Sequence, residues 1–222
     1  YAIQKGFKLA TGEIISWLNA DDVYMPWTLN YINQVFSRWD DINWVYGIPS
    51  FLNEKGNLTN IYNISSKHRS YIKNGDFRSN VFGYLQQESM FFKKKMYDEV
   101  GGLNLNLKFA ADFELWTKFA EKSNLVALSL PLAAFRKSKK NRSVINKNTY
   151  SQEVDEIIKL KRKRIFIEKI SKKFKLFNLL IRLFIYKKTD IIYYSLKSQK
   201  IERKKKLLPI SSISFRQMFF EL

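Results

Sequence analysis

Two adjacent carboxylates, Asp21 and Asp22, follow closely on a short apolar run in the first part of the chain. The run spans residues 14–18 and is rich in β-branched and aromatic residues, which is typical of a buried strand. In open α/β sheets, ligands bind beyond the carboxyl ends of the strands. Carboxylates at that edge can hold a divalent cation, and the cation can hold a diphosphate. The pattern therefore predicts a cation and diphosphate site in the turn after this strand.

An acidic pair beside a strand also has a simpler interpretation. Aspartate is preferred at helix N-caps and in turns, because its carboxylate accepts hydrogen bonds from nearby backbone N–H groups. The same alternative applies to Asp112, which precedes Phe113 and Trp116 at helical spacing and is placed to cap that helix. The residue types alone do not decide whether each of these three carboxylates caps a helix or turn, or takes part in a chemical site.

The elements that must position these carboxylates alternate along the first 130 residues. Apolar residues recur at helical spacing in three segments, at 2–10, 26–38 and 112–120. Short apolar segments predict strands at 14–18, 43–48, 89–92 and 125–130. Turn residues at 53–57 predict a hairpin, and residues 65–83 predict a long loop of the kind that often closes over a ligand. The alternation predicts an α/β domain.

The composition is that of a globular protein with a strong basic excess. Hydrophobic residues make up 45% of the 222 residues, and the net charge is +19. The absence of cysteine and the single histidine, His68, exclude disulfides, thiolate metal sites and multi-histidine zinc sites, and a reducing compartment fits. Residues 151–222 hold 19 of the 39 Lys and Arg but 7 of the 20 Asp and Glu. Such a charge attracts anionic lipid, nucleic acid or an acidic ligand.

Three sequence blocks occur in a recognisable order. The first comprises residues 4–6 (QKG), 10–15 (ATGEII) and 18–22 (LNADD); the second comprises 87–94 (QESMFFKK) and 101–103 (GGL); the third is 112–116 (DFELW). Each block is weak by itself, whereas their order over residues 2–120 is specific. Together they resemble the inverting family 2 glycosyltransferases with the GT-A fold.

The resemblance implies a GT-A type nucleotide-diphospho-sugar transferase sheet flanked by helices. It also implies that Mn²⁺ or Mg²⁺ is held between the donor diphosphate and the family's DXD metal motif, which corresponds here to Asn19, Asp21 and Asp22. Many members have Asp where this chain has Asn19. Both Asp21 and Asp22 are therefore candidate metal ligands, with Asp22 favoured and Asp21 also expected at the donor.

The resemblance assigns further residues to the catalytic and substrate sites. Asp112 matches the base that removes the acceptor hydroxyl proton. Gln87 and Glu88 match the block that faces the acceptor or the donor sugar, Gly102 lies in the turn beneath the acceptor, and Lys5 is placed to reach phosphate. The simpler interpretations are a solvated strand end for Gln87 and Glu88, a tight turn for Gly102 and a surface lysine for Lys5.

The sequence predicts three parts: a GT-A domain at 1–136, a basic connector at 137–150 and a basic amphipathic helical extension at 151–222. The resemblance places the family's opening strand and its acidic uracil-contacting residue ahead of Tyr1, so we expect the domain to be N-terminally incomplete. Residues 157–189 alternate apolar and cationic clusters and are too charged for a membrane span. We expect either contact with an anionic membrane through 157–206, or two helices packed on the domain with a solvated basic face.

The expected function is transfer of a sugar from a nucleoside diphosphate donor to a hydroxyl on a glycan or lipid-linked acceptor, in a bacterial surface-polysaccharide pathway. The protein is expected in the cytoplasm, and at the inner face of the cell membrane if its extension binds lipid. A rival function is non-catalytic binding of anionic membrane or nucleic acid by a degenerate transferase domain. The charge favours the rival, but no segment resembles a nucleic-acid module, so no nucleic-acid partner is expected.

Overall fold

The computed structural model describes residues 2–79, 83–138, 141, 145–161 and 186–209. The helices in these residues are α1 (Ala2–Leu9), α2 (Thr28–Arg38), α3 (Arg69–Lys73), α4 (Lys94–Glu99), α5 (Ala111–Lys122) and α6 (Lys147–Lys161). The strands are β1 (Ile14–Ile15), β2 (Val23–Tyr24), β3 (Trp44–Tyr46), β4 (Ser50–Leu52), β5 (Leu58–Ile61), β6 (Arg78–Ser79), β7 (Gly83–Tyr84), β8 (Met90–Lys93), β9 (Val126–Leu128), β10 (Ala133–Arg136), β11 (Tyr186–Ser195) and β12 (Lys200–Pro209). A 3₁₀ turn spans Gln87–Ser89.

The main sheet has the strand order β1-β8-β3-β9-β11-β12. Strands β1, β3, β9 and β11 run in one direction, while β8 and β12 run against them. The four parallel strands consequently end at one edge of the sheet, called here the carboxyl edge. The turn after β1 and the 3₁₀ turn before β8 both lie at this edge, which brings the first two sequence blocks together.

A smaller sheet is built from segments that leave the carboxyl edge. Its order is β2-β10-β4-β5, and β2, β4 and β10 are the strands that follow β1, β3 and β9 along the chain. Strand β10 pairs with β2 in antiparallel and with β4 in parallel orientation. The hairpin predicted around residues 53–57 is confirmed, with β4 and β5 antiparallel. The smaller sheet places Arg136, the last residue of β10, beside the turn after β1.

Side chains of the main sheet alternate between two apolar cores, as the period of two in a strand requires. Trp44 and Phe92 point into one core, with α1 and α5, whereas Val45 and Phe91 point into the other, with α2. Helices therefore cover both faces of the sheet. Each fully buried side chain of this size contributes roughly 1.5–3 kcal/mol to folding.

The helical prediction for residues 151–222 is wrong for residues 186–209, which form the β11–β12 hairpin. The strands pair along ten residues each, and Ile191 and Ile192 of β11 extend the main sheet beside Ala127 and Leu128 of β9. The β-branched and aromatic run at 189–194 suits a strand, and Ile192 is buried in the core beneath α2. The helical prediction holds for α6, while 162–185 and 210–222 lie outside the described residues.

Two further expectations concern the loop and the membrane. The predicted loop at 65–83 contains α3 and β6, and Ile72 of α3 is buried in the core that α5 shares. The apolar contact made by Ile72 favours ordered structure over a solvent-exposed loop in this segment. Among the helices that the structure describes, none is both long enough and apolar enough to cross a membrane.

Candidate active site

A network of side-chain amides shapes the turn that follows β1. Asn19 Nδ2 donates to Asp22 Oδ2 at 3.1 Å and to Gln87 Oε1 at 3.2 Å. Gln87 Nε2 in turn donates to the carbonyl of Trp17. Both polar ends of the Gln87 side chain are thus used within the protein. Gln87 ties the 3₁₀ turn before β8 to the acidic turn after β1.

Asp22 is buried, with 5% of its surface exposed. Its Oδ1 accepts from the backbone N–H of Arg136 at 2.9 Å, and its Oδ2 accepts from Asn19. Burial raises the pKa of Asp22, and the two hydrogen bonds oppose that shift. Neither Asp21 nor Asp22 caps α2, because the N-cap position is Trp27, whose side chain makes no capping hydrogen bond to the helix. Asp22 instead joins the acidic turn to β10.

Asp21 is exposed, and it accepts hydrogen bonds through one carboxylate oxygen and through its backbone carbonyl. Asn141 Nδ2 donates to Asp21 Oδ2 at 3.3 Å, and Arg136 Nε donates to the Asp21 carbonyl at 2.7 Å. The same guanidinium donates through Nη1 to the carbonyls of Asn53 and Glu54. Within the described residues, Asp21 Oδ1 has no hydrogen-bond partner. Asp21 is therefore the carboxylate of the pair that is more accessible to a ligand.

The electrostatic surroundings of Glu88 show that the acidic side chains lie close together. It is buried, and its Oε1 has no hydrogen-bond partner in the part of the chain described. Burial, together with the smaller effects of the nearby charges of Asp22, Asp112 and Asp21, raises the pKa of Glu88 to about 8. Glu88 is consequently protonated at neutral pH, as the central member of a group of four acids.

Asp112 lies in the first turn of α5 and is half-buried. Its Oδ1 accepts from the N–H of Phe113 at 2.7 Å, and burial raises the pKa of Asp112 to about 6. The N-cap of α5 is Ala110, which has no side-chain cap. Glu153 of α6 instead accepts from the N–H groups of the loop before α5, including that of Ala110 at 2.9 Å. Asp112 is thus ionised at neutral pH and held on a fixed helix start.

Stacked indole rings support the base of the site. Trp116, one turn after Asp112, lies 5.6 Å from Trp17 at an interplanar angle of 12° and 6.1 Å from Trp44 at 24°. A cavity of about 20 Å³ adjoins Asp112, Trp116 and Thr117, which is room for about one water molecule. The stack packs α5 against Trp44 of β3 and against the segment that follows β1.

The remaining predicted residues have other positions. Gly102 has φ +65°, and a Cβ there would lie 2.8 Å from Tyr97 Cζ, so glycine is required by the turn. Lys5 is exposed on α1 and makes no ion pair with the acidic group within the described residues. The structure therefore brings together Asp21, Asp22, Gln87, Glu88 and Asp112, and leaves Gly102 and Lys5 without a visible role at the acids.

Sequence reasoning missed Arg136 and Asn141. They lie more than a hundred residues after the acidic turn, in a stretch that was interpreted as the end of a domain and a basic connector. An arginine and an asparagine in a lysine-rich stretch give no indication in the local sequence that they contact the acidic turn. Only the pairing of β10 with β2 brings them to Asp21.

The donor set fits a cation that is shared with a phosphate ligand. No group of three or more His, Cys, Asp or Glu side chains in the described ranges is placed to hold a metal by itself. Asp21 offers an exposed carboxylate with one free oxygen, whereas both oxygens of Asp22 are occupied. Mg²⁺ commonly takes one or two carboxylates together with substrate phosphates and water. Metal binding by Asp21 and Asp22 remains a prediction, for which Asp21 is the more available ligand.

Sequence and structure comparisons give limited similarity. No protein-family model matches the chain. Uncharacterized glycosyltransferases of Rickettsia conorii and Rickettsia felis are 28% and 26% identical to it over 118 residues. Each match covers 53% of this chain and 20% of the relative, so this chain spans about a fifth of the length of these curated relatives.

Among solved structures, S. aureus TarS aligns with a TM-score of 0.47 and 14% identity, covering 70% of this chain and 26% of that one. The structure of S. aureus TarS residues 1–349 aligns with a TM-score of 0.44 and 12% identity, covering 69% and 47%. By sequence, the chain is similar to glycosyltransferases over about half of its length.

Proposed function

We propose that this chain is part of an inverting, GT-A type family 2 glycosyltransferase. It moves a sugar from a nucleoside diphosphate to a hydroxyl on a glycan or lipid-linked acceptor. The observation that carries the proposal is the grouping of Asp21, Asp22, Glu88 and Asp112 at the carboxyl edge of the sheet. The sequence similarity to glycosyltransferases supports the same chemistry.

On the donor side, Asp21 would hold Mn²⁺ or Mg²⁺ for the diphosphate of the sugar donor. The cation, when bound, neutralises the charge of the leaving diphosphate. Asp22 keeps the turn in place through its bonds to Arg136 and Asn19, so that the exposed carboxylate of Asp21 points outward. Exposed Asp21 and buried Asp22 thus have different tasks in the same motif.

On the acceptor side, Asp112 is the general base. Its carboxylate, with a pKa of about 6, is ionised at neutral pH and takes the proton of the acceptor hydroxyl as that oxygen attacks the anomeric carbon. The attacking oxygen forms its bond on the face opposite the departing diphosphate, which inverts the configuration. Protonated Glu88 adds no negative charge beside the diphosphate, which favours donor binding.

The rival proposal is a non-catalytic protein that binds an anionic partner. The exposed lysines of the β11–β12 hairpin favour this rival, because none of the four acids of the candidate site belongs to the hairpin. Nucleotide binding separates the two proposals. The enzyme proposal requires a donor site, whereas the rival does not.

The test is thermal stability of this chain with UDP, GDP, dTDP and CDP, each with and without Mn²⁺. A ligand that binds the folded state raises its stability, by about 2.7 kcal/mol at a hundredfold excess over Kd. We expect one nucleotide to stabilise the chain only when Mn²⁺ is present, and Asp21→Asn to abolish the effect. If no nucleotide stabilises the unmodified chain, the donor site is absent and the rival is favoured.

A further inference from the structure

The β11–β12 hairpin projects on the side of the molecule that carries the acidic group. Ile191 and Ile192 of β11 pair with β9, and Ser129 N donates to the carbonyl of Ile192 at 2.8 Å. Beyond Ile192, β11 pairs only with β12. At about 3.3 Å per residue, the three residues up to Ser195 extend the hairpin by roughly 10 Å past the last pair with β9. Residues 193–200, called here the hairpin tip, therefore lie toward the carboxyl edge.

Side-chain hydrogen bonds within the hairpin stabilise its tip. Ser195 and Lys200 are the last paired residues, and residues 196–199 form the turn. Glu202 accepts from Tyr193 OH at 2.7 Å and from Ser198 Oγ at 2.6 Å. Gln199 completes the turn with φ +53°. These bonds stabilise the turn, in which the side chains of residues 196–199 are exposed to solvent.

The side chains that the tip presents are apolar and cationic. Leu196 is 86% exposed and Tyr194 is 55% exposed. Two exposed lysines follow Leu196: Lys197 lies next to it in the turn, and Lys200 is the first residue of β12. An isolated exposed leucine is common on protein surfaces, but a leucine at the end of a projecting hairpin, followed by two exposed lysines, forms an amphipathic contact surface.

The charge of the hairpin is unbalanced. Its two acidic residues, Asp190 and Glu202, are already engaged, the first by Arg203 at 3.2 Å and the second by Tyr193 and Ser198. Within the described ranges, the exposed lysines of the hairpin have no salt bridge: Lys188, Lys197, Lys200, Lys204, Lys205 and Lys206. Lysines along β12 also protect an edge strand from pairing with other chains. That role explains residues 204–206 and extends to Lys200 of β12, but it does not account for Lys197, which lies in the turn and in no strand.

We propose that the hairpin tip binds the surface of an anionic lipid bilayer. A bilayer interface offers anionic headgroups to Lys197 and Lys200 and an apolar layer to Leu196, whereas single-stranded nucleic acid is bound by grooves with stacking aromatic platforms. The tip projects toward the edge of the sheet that holds Asp21 and Asp112, so bilayer contact places that edge near the membrane. The binding itself is independent of the proposed transfer. Its use, access to a lipid-linked acceptor, rests on the proposed function.

The test is cosedimentation of the full chain with phosphatidylglycerol vesicles and with phosphatidylcholine vesicles. The tip variants are Leu196→Ser and the pair Lys197→Glu/Lys200→Glu. Leu207→Ser and Lys188→Glu/Lys206→Glu are matched controls, because Leu207 is 58% exposed and all three control residues lie at the opposite end of the hairpin. These control lysines are roughly 20 Å from the tip along the strands, beyond the Debye length of about 8 Å.

We expect binding to phosphatidylglycerol vesicles alone, reduced about tenfold or more by each tip variant and about twofold or less by each control. Equal losses in the tip and control variants would overturn the proposal in favour of diffuse charge attraction. It would also be overturned if the unmodified chain failed to bind the vesicles, or if single-stranded DNA bound through the tip and the vesicles did not. Unchanged circular dichroism and Tm confirm that the exposed substitutions leave the fold intact. The assay contains no nucleotide or metal, so its outcome is separate from that of the donor-binding test.

Discussion

At the residue scale, four carboxylates of similar intrinsic chemistry differ because their surroundings differ. Asp21 is exposed, Asp22 is buried with both oxygens bonded, Glu88 is buried with a pKa of about 8, and Asp112 has a pKa of about 6. Environments that separate the pKa values of neighbouring acids are how one site supplies both an ionised base and a neutral acid. The proposed division of tasks follows from these environments.

The assignment of Asp112 predicts a large kinetic effect. Asp112→Asn cannot accept a proton, so the transfer rate is expected to fall by about 10²–10⁴-fold. In the unmodified chain, the rate is expected to rise with pH through about 6 as Asp112 ionises. Product formation is measured with the sugar of whichever nucleotide stabilises the chain. Stabilisation by that nucleotide is the control and should be retained, whereas a variant that transfers sugar at the original rate would remove Asp112 from the mechanism.

The two residues of the acidic pair are expected to respond differently to the same substitution. In Asp22→Asn, the side-chain NH₂ group must face one of two donors, Arg136 N–H or Asn19 Nδ2, so about 1–3 kcal/mol of stability is lost. Asp21→Asn keeps an oxygen for Asn141 and is exposed, so its cost is about 0.5 kcal/mol or less. Urea denaturation measures both. Equal free-energy losses would contradict the structural role given to Asp22.

At the element scale, the site depends on how closely helices approach one another. Gly75, just after α3, has φ +73°, and a Cβ there would lie 2.8 Å from Ile158 Cγ1 of α6 and 3.2 Å from Phe113 Cζ of α5. The absence of a Cβ at Gly75 leaves room for Phe113 of α5 to pack with Ile158 of α6 in one apolar cluster. Glu153 of the same α6 helix also fixes the loop before α5.

This close approach predicts the effect of adding one methyl group. Gly75→Ala introduces both the clash and an unfavourable φ, and is expected to lower the free energy of unfolding by about 1–3 kcal/mol. Gly6→Ala is the matched control, because Gly6 lies within α1 and nothing lies within 4 Å of its added Cβ. It should be neutral or stabilising by up to about 1 kcal/mol. Chemical denaturation measures the free energy of unfolding of both variants. Equal changes in the two would mean that the close approach of α6 at Gly75 is unimportant for stability.

At the scale of the whole molecule, the buried acid makes stability depend on pH. The ordinary pKa of Glu88 is 4.5, and in the folded chain it is about 8. Between these values the unfolded chain releases a proton that the folded chain keeps, so the contribution of Glu88 to stability falls as pH rises. Asp112 acts in the same direction from 3.8 to about 6. The acidic group is thus most compatible with folding below neutral pH, in the absence of bound ligand.

Replacement of Glu88 isolates this effect. Glu88→Gln cannot ionise, so its stability relative to the unmodified chain should increase by about 1 kcal/mol or more between about pH 5 and about pH 8. Tm values of both proteins across that range provide the measurement, and the difference between them cancels other titrating groups. A difference that stays constant with pH would show that Glu88 ionises normally in the folded chain.

The sequence by itself determined the alternating elements, the hairpin turn at residues 53–57 and the helix that follows Asp112. These features depend on local periodicity and turn chemistry, which act between residues close in the chain. Local pattern did not predict that the first two sequence blocks meet at one edge; this was implied only by the resemblance, and in the structure it results from the antiparallel course of β8.

Only the tertiary structure distinguished Asp21 from Asp22, because the partners Arg136 and Asn141 are more than a hundred residues away. The tertiary structure also corrected the helical prediction for residues 186–209. These residues form strands, because Ile191 and Ile192 extend the sheet beside β9. Their apolar and basic pattern is compatible with either a helix or a strand. The choice was made by burial against a strand distant in sequence, which no local pattern contains.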